Sequence, residues 1–143
     1  MAYWLLKSEP HTWSWDQQKK EGPKGAEWDG VRNFQARNNM RAMKRGDLAF
    51  FYHSGDEKAV VGIVKVVAEA HPDSTDGTGQ WDCVDVAAVK DFPRPVTLSE
   101  IKAEPALKST VLARVSRLSV QPVTAAEWKR LCAMGGVKDP PRA

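Results

Sequence analysis

The sequence has few cysteines, and they are widely separated. Its 143 residues include only Cys83 and Cys132, which lie 49 residues apart without a CxxC pair. This spacing argues against a zinc site and against the disulfide framework of a small secreted module. Reduced thiols in a cytoplasmic protein are therefore expected, and the sequence predicts neither a metal nor a cofactor.

Long hydrophobic runs are also missing. The longest, Ala59 to Val64, is broken by Lys65, and the apolar stretch at the N-terminus is too short for a signal peptide. No contact with a membrane is predicted. The length and the 42% hydrophobic content fit one globular domain. We place it at residues 1–136, followed by a Pro-rich segment, 137–143, that is expected to be loose.

The common catalytic motifs are absent as well. The sequence contains no GxSxG, P-loop, HExxH or glycine-rich dinucleotide-binding pattern. Its three histidines are scattered, and only His53 has a nucleophile beside it, Ser54. Neighbouring residues on a strand point to opposite faces, which is the wrong geometry for a Ser–His pair. The sequence therefore favours a protein that is not an enzyme.

The net charge is small, but the basic residues are unevenly distributed. The 21 basic and 18 acidic residues leave a charge of +3. The segment from Arg32 to Arg45 alone carries +5 and contains no acidic residue, so the rest of the chain carries −2. The basic residues of this segment are Arg32, Arg37, Arg41, Lys44 and Arg45. Such a focused basic surface suits contact with a few phosphates.

The same segment has the periodicity of a helix. Ala36, Met40 and Met43 step by four and three residues, which places them in one apolar stripe. The basic residues from Arg37 to Lys44 form a second stripe about a quarter turn away. We expect a helix within residues 32–45 that packs its apolar stripe on the core and presents a basic ridge beside it.

The rest of the chain alternates between short strands and turns. Strands are predicted at residues 3–8, 48–54, 59–68, 81–90 and 115–120, and further helices after a cap at Thr12, at 98–102 and at 125–134. Gly62 suits a bulge or a close backbone approach, and Pro93 and Pro95 are expected to end the fourth strand. The pattern predicts an α+β fold, with a curved sheet or β-barrel of five to six strands and flanking helices.

Tryptophan is the most informative residue type in the sequence. Six of the twelve aromatic residues are Trp, and Trp28 immediately precedes Asp29, Gly30 and the basic segment. An indole beside guanidinium and amide groups offers stacking, edge hydrogen bonds and phosphate contacts to a flipped or single-stranded base. Core packing is the alternative explanation for each Trp, and solvation of a helix face is the alternative for the basic ridge.

Four motifs in order resemble the EVE domain family. They are residues 3–10 (YWLLKSEP), 28–38 (WDGVRNFQARN), 50–54 (FFYHS) and 116–123 (SRLSVQPV). The resemblance implies a PUA-like fold, related to the ASCH and YTH domains, with a pocket for a modified base of DNA or RNA. Modified cytosines are among the proposed ligands, and family members are regarded as readers without catalytic activity. The chain begins almost directly at its first strand, which resembles the stand-alone bacterial form.

The resemblance also assigns residues to the site. For the base pocket it implies Lys7, Ser8, Trp28, Asn33, Tyr52, His53, Ser54 and Ser119. For the phosphates it implies Arg32, Arg37, Arg41 and Arg117. Strand alternation places Tyr52 and Ser54 opposite His53, so all three face one pocket only if the strand twists or bulges there.

The sequence thus favours a non-catalytic module that reads a modified base in DNA or RNA, with a monomer as the default state. Two alternatives stay open. One is a small enzyme of modified-nucleotide or RNA metabolism with His53 as general base in the same pocket. The other is a protein-interaction domain whose exposed Trp residues contact a partner.

Overall fold

The computed structural model describes residues 2–115 and 117–143, and within these it contains six strands and five α-helices. The strands are β1 (Tyr3–Ser8), β2 (Ala26–Glu27), β3 (Leu48–His53), β4 (Ala59–Pro72), β5 (Asp82–Thr97) and β6 (Val120–Val123). The helices are α1 (Trp15–Lys20), α2 (Phe34–Ala42), α3 (Leu98–Ala103), α4 (Val111–Arg114) and α5 (Ala125–Met134). Two short 3₁₀ turns lie at Gly22–Lys24 and Pro105–Leu107.

The strands form one mixed sheet in the order β2-β5-β4-β3-β1-β6. β1 is parallel to β3, from Tyr3 opposite Leu48 to Ser8 opposite His53, and the other neighbours are antiparallel. Across the described residues β2 and β6 remain the two edges, so the sheet is open and does not close into a barrel. The α+β prediction with five to six strands and flanking helices is confirmed.

Side-chain alternation divides the core into two clusters, one on each face of the sheet. Leu6 and Phe51 belong to the first cluster together with the predicted apolar stripe of α2, which is buried as expected. Leu5 and Phe50 belong to the second, which also contains Trp128 of α5. The two faces are thus covered by different helices, and the candidate site lies on the α2 face.

Several element boundaries differ from the prediction for local reasons. α1 begins after Ser14 instead of Thr12, because Ser14 and Gln17 form a reciprocal capping box. α2 begins after Asn33, whose side chain accepts a hydrogen bond from the backbone N–H of Ala36. The predicted helix over 32–45 is therefore shorter at both ends. α3 extends to Ala103, and α5 has the predicted bounds.

The two long strands also exceed their predicted lengths. β4 continues to Pro72, where it pairs with Asp82, and β5 continues to Thr97. Pro93 and Pro95 do not end β5, because the register with β4 shifts between Asp91 and Val96 and leaves both prolines without a pairing partner. Proline has no backbone N–H, but at a position with no pairing partner no hydrogen bond between strands is lost.

The predicted strand at 115–120 is wrong in its position. Thr110 caps the short helix α4, which occupies residues 111–114, and β6 begins only at Val120, opposite Leu6 of β1. Ser116, which belongs to the predicted strand, lies outside the described residues.

Gly62 allows α1 to pack directly on the sheet. This is the close backbone approach that was predicted at Gly62. A Cβ atom at Gly62 would lie 2.2 Å from Cζ2 of Trp15. The register shifts between Val60 and Gly62, so a bulge accompanies the close contact. This contact fixes α1 against β4.

The segment after α5 contacts the domain at three points. Val137 is buried, Trp128 Nε1 donates to the carbonyl of Pro141 at 3.1 Å, and the backbone N–H of Ala143 donates to the Tyr3 hydroxyl at 3.3 Å. Among the described residues, no helix is long and apolar enough to cross a membrane.

Candidate functional site

A cavity of about 610 Å³ opens where β1 ends and β2 leads into α2. Its wall consists of residues 7–9, 12–13, 26–32 and 119. The backbone N–H of Lys7 donates to the carbonyl of Ser119 at 2.9 Å, which brings the loop before β6 to the end of β1. Segments distant in sequence therefore form one concave surface.

Two tryptophans form the aromatic part of the wall. Trp28 is only 6% exposed, and its ring meets Phe51 edge-on with centroids 5.3 Å apart. Trp13 is half-buried, and its Nε1 donates to Oε1 of Gln18 at 3.0 Å. The fully buried Gln18 in turn donates to the carbonyl of Val86 at 3.0 Å. Both indoles are thus held in fixed orientations, and Trp13 offers the larger free surface.

Carboxylates form a second part of the wall, contributed by Glu9, Glu27 and Asp29. Burial and the nearby charges of Asp73 and Glu27 raise the pKa of Asp29. These groups accept hydrogen bonds, so they complement a ligand edge that carries donors. Sequence reasoning missed both Trp13 and the carboxylates. The only local signal was that Asp29 follows Trp28 and that Trp13, like Trp28, lies among polar residues.

Asp73 anchors the rim of the cavity. It is 2% exposed, and its Oδ2 accepts hydrogen bonds from the backbone N–H of Gly30 at 2.9 Å and from Arg32 at 3.1 Å. Burial opposes ionisation of Asp73, but hydrogen bonds from Thr75, Gly30 and Arg32 outweigh it and lower its pKa to about 2. The loop after β4 is thereby tied to the segment between β2 and α2.

The structure brings together part of the residue set implied by the family resemblance. The predicted residues that line the cavity are Lys7, Ser8, Trp28, Arg32 and Ser119. Asn33 lies outside the lining, at the start of α2, where its side chain is used as the helix cap. Tyr52 also lies outside it, in the core cluster on the opposite face, and burial raises its pKa to about 12. The ammonium group of Lys7 lies 5.8 Å from the Tyr52 ring centroid, and burial lowers the pKa of Lys7.

His53 and Ser54 support the cavity from outside its lining. The backbone N–H of Trp15 donates to Nε2 of His53 at 3.0 Å, and Nδ1 of His53 lies 2.7 Å from a carboxylate oxygen of Glu57. Because Nε2 accepts, Nδ1 carries the proton shared with Glu57, and both ring nitrogens are engaged. The backbone N–H of Ser54 donates to the carbonyl of Ser8 at 2.9 Å. Although the β3–β4 register shifts between Phe51 and Tyr52, Tyr52 and His53 still face different surroundings.

The basic ridge along α2 receives counter-charges from a distant segment. Arg41 Nε lies 2.6 Å from a carboxylate oxygen of Asp82, and Arg32 pairs with Asp73. Arg37 donates to the carbonyl of Gln80 at 3.0 Å. The ridge is therefore less positive than the local sequence indicates. Arg117 is exposed in the loop before β6.

An aromatic pair lies between the ridge and the cavity. Phe34 and Trp81 stack with centroids 4.9 Å apart, and the guanidinium groups of Arg32 and Arg37 lie 5.6 Å from the Trp81 ring. This contact joins the start of α2 to the loop before β5.

Comparison with known proteins shows the family to which this chain belongs. The EVE domain family model matches residues 2–134. The chain belongs to the EVE domain family. It is 40% identical over 159 residues to thymocyte nuclear protein 1 of Gallus gallus, a match that covers 89% of this chain and 66%, just under two thirds, of that protein.

Two solved structures of EVE proteins resemble the whole fold. A crystal structure of a protein from Agrobacterium tumefaciens is 57% identical, with a TM-score of 0.97 and coverage of 100% of this chain and 99% of that one. Human THYN1, in a complex with DNA that contains 5-methylcytosine, is 35% identical, with a TM-score of 0.89 and coverage of 98% and 100%.

Proposed function

We propose that this EVE protein is a non-catalytic module that binds one modified base of a nucleic acid, with 5-methylcytosine in DNA as the first candidate. The observation that carries the proposal is the cavity at the end of β1, with its fixed indoles and its carboxylate wall. Its volume of about 610 Å³ lies within the range of roughly 300–1,000 Å³ that is typical of small-ligand sites. The complex of human THYN1 with methylated DNA supports the choice of ligand.

The wall chemistry matches a cytosine base. A base stacked on an aromatic side chain gains about 1–3 kcal/mol, and Trp13 has the larger free indole surface. The amino group of cytosine is a hydrogen-bond donor, which Asp and Glu side chains accept. We assign this role to Asp29 and Glu27, and the apolar side chains of Ala26 and Val31, which line the same cavity, are candidates for contact with the methyl group.

The basic side chains near the cavity are assigned to the phosphates that flank the bound base. Arg32 is both part of the lining and half-exposed, so it is the first of these contacts. Arg37, Arg41 and Arg117 extend the surface along α2 and the loop before β6. Binding through phosphates releases counterions, so affinity should fall as salt rises.

The engagement of His53 favours a reader over an enzyme. A general base needs a free nitrogen within reach of the substrate, and both ring nitrogens of His53 are bonded outside the lining. Mass spectrometry of methylated and unmodified oligonucleotides after incubation with the protein tests this directly. A product that differs from the input would contradict the non-catalytic assignment.

A monomeric state, a cytoplasmic location and the choice between DNA and RNA stay predictions.

The binding test compares oligonucleotides that differ by one methyl group. We expect Trp13→Ala and Asp29→Asn to lose the preference for 5-methylcytosine over cytosine in fluorescence anisotropy titrations with single- and double-stranded DNA and with RNA. Asp56→Asn, which changes an exposed carboxylate outside the cavity lining, serves as the matched control and should keep the preference. If both cavity variants keep the parent's preference for 5-methylcytosine over cytosine, the proposal is overturned.

A further inference from the structure

Four side chains of the types that bind transition metals meet on strands β2, β4 and β5. They are Glu27, His71, Cys83 and Asp85, and their ligand atoms all lie within 4.8 Å of one another. Nε2 of His71 is 2.7 Å from a carboxylate oxygen of Asp85 and 4.0 Å from the sulfur of Cys83. We propose that these four residues form a binding site for a divalent transition-metal ion of the zinc type.

Strand pairing holds the four residues in place. His71 of β4 is the register partner of Cys83, and Glu27 of β2 is the register partner of Asp85. Cys83 and Asp85 are two residues apart on β5, so their side chains leave the same face of the sheet. The quartet is therefore built on three hydrogen-bonded backbones, unlike a group of acidic side chains on a loop.

The ligand types fit a tetrahedral zinc-like site. Zn²⁺ binds thiolate sulfur, imidazole nitrogen and carboxylate oxygen at about 2.0–2.3 Å, so its ligand atoms are separated by about 3.3–3.8 Å. The two separations from His71, 2.7 and 4.0 Å, lie on either side of that range, and all ligand atoms are within 4.8 Å of one another. Thiolate and imidazole together favour zinc-type ions over Mg²⁺ or Ca²⁺, which prefer oxygen ligands.

The surrounding charge also favours a cation. Asp29 and Asp73 add negative charge near the quartet. Metal binding forms the metal–sulfur bond and releases the thiol proton to solvent. Glu27, His71 and Asp85 are half-buried, so the site is reached from the surface while the sulfur lies beneath it.

Sequence spacing could not show this site, and the proposal departs from the sequence-based prediction that no metal is bound. The ligands span residues 27–85 and contain no CxxC or closely spaced His pair. Only the antiparallel pairing of β4 with β5 brings His71 to Cys83. The proposed metal site differs from the proposed base contacts in its other three residues, and it shares Glu27, which also lines the cavity.

Cobalt provides a test that reads the ligands directly. The 143-residue chain, freed of metal with a chelator, should bind one equivalent of Co²⁺ and show the visible bands of tetrahedral cobalt together with a sulfur-to-cobalt charge-transfer band. Cys83→Ser should remove the charge-transfer band. Cys132→Ser is the matched control, because Cys132 is also buried and free but lies in α5, and it should keep the band.

A second variant keeps the test decisive if Cys83→Ser does not fold. His71→Gln, at a half-buried position, should weaken Zn²⁺ binding in calorimetric titrations by at least about tenfold. His11→Gln, at an exposed histidine, should bind like the parent. Absence of the charge-transfer band in the parent, or its loss in Cys132→Ser with retention in Cys83→Ser, would overturn the proposal. Unchanged zinc affinity in His71→Gln would do the same.

Discussion

Asp73 shows how a single side chain organises the rim of the cavity. Its carboxylate is buried, yet it stays ionised because Gly30, Arg32 and Thr75 all donate to it. Removal of the charge would leave these donors with a weaker acceptor at a buried position. The residue lies far from the cavity-lining segment in sequence, and its role depends entirely on the fold.

The stability of the protein should therefore depend on pH through Asp73. Its pKa in the folded state, about 2, lies below the ordinary value of 3.8, so its contribution is complete above about pH 4 and is lost as pH falls through 2. The shift corresponds to about 2 kcal/mol. Urea denaturation at pH 6 and pH 2 should show Asp73→Asn losing about this much at pH 6 and little at pH 2. Asp56→Asn should follow the parent, and an equal loss at both pH values would argue against the ionic contribution.

At the scale of elements, α1 depends on the sheet for its place. It has only six residues, too few for a stable isolated helix. Its capping box sets where it begins, and the packing of Trp15 on Gly62 sets where it lies. Trp15 also donates its indole N–H to Asp91 at 2.7 Å, so the ring is fixed at its polar edge as well.

Gly62→Ala should disturb this packing. The added Cβ would lie 2.2 Å from the Trp15 ring, which must move. Overpacking of this kind typically costs about 1–3 kcal/mol. We expect a lower thermal unfolding midpoint and a changed Trp fluorescence spectrum. Gly77→Ala, where an added Cβ has nothing within 4 Å, provides the control and should be close to neutral. Equal stability of the two variants would show that the ring adapts without cost.

Elements were predicted well where the determining signal is local. The apolar stripe of α2 and the bounds of α5 at residues 125–134 are determined by neighbouring residues, and both predictions are confirmed. The continuation of β5 past Pro93 and Pro95 depends on a register gap in another strand, which no local pattern records.

The candidate site divides in the same way. Trp28 and Arg32 lie in one recognisable motif and do line the cavity. Trp13 and Asp29 can be identified as lining residues only from the fold, which brings several separate segments together. Because successive residues of a strand point to opposite faces of the sheet, the sequence predicts that Tyr52 and His53 face different surroundings. In the structure they do.

On the scale of the whole molecule, charge is redistributed by tertiary contacts. The basic segment is uncompensated in sequence, but the loop after β4 and the start of β5 supply Asp73 and Asp82 to two of its arginines. A phosphate that binds Arg41 must therefore compete with Asp82. In the proposed binding mode, this competition limits the affinity for nucleic acid of any sequence, and selectivity comes from the cavity.

Changes at this ion pair should alter affinity without altering selectivity. Asp82→Asn frees the Arg41 guanidinium, so modified and unmodified oligonucleotides should both bind more tightly, and the salt dependence of the binding constant should steepen by about one unit of slope. Arg41→Ala should weaken both, because it removes this contact and leaves the Asp82 carboxylate unpaired. Anisotropy titrations at several salt concentrations measure these slopes. An effect confined to methylated oligonucleotides would contradict the assignment of Arg41 to the phosphates.

The position of β1 between β3 and β6 also constrains how the chain folds. β1 cannot complete its pairing until Val123 is available opposite Tyr3, about 120 residues later in synthesis. Contacts this distant in sequence are slow to form, because a long loop must close before they can stabilise anything. While the chain emerges from the ribosome, β1 therefore keeps at least one edge exposed, and the cavity at its end is completed only when the last strand docks. Base binding should accordingly appear late in refolding, after most of the secondary structure has formed.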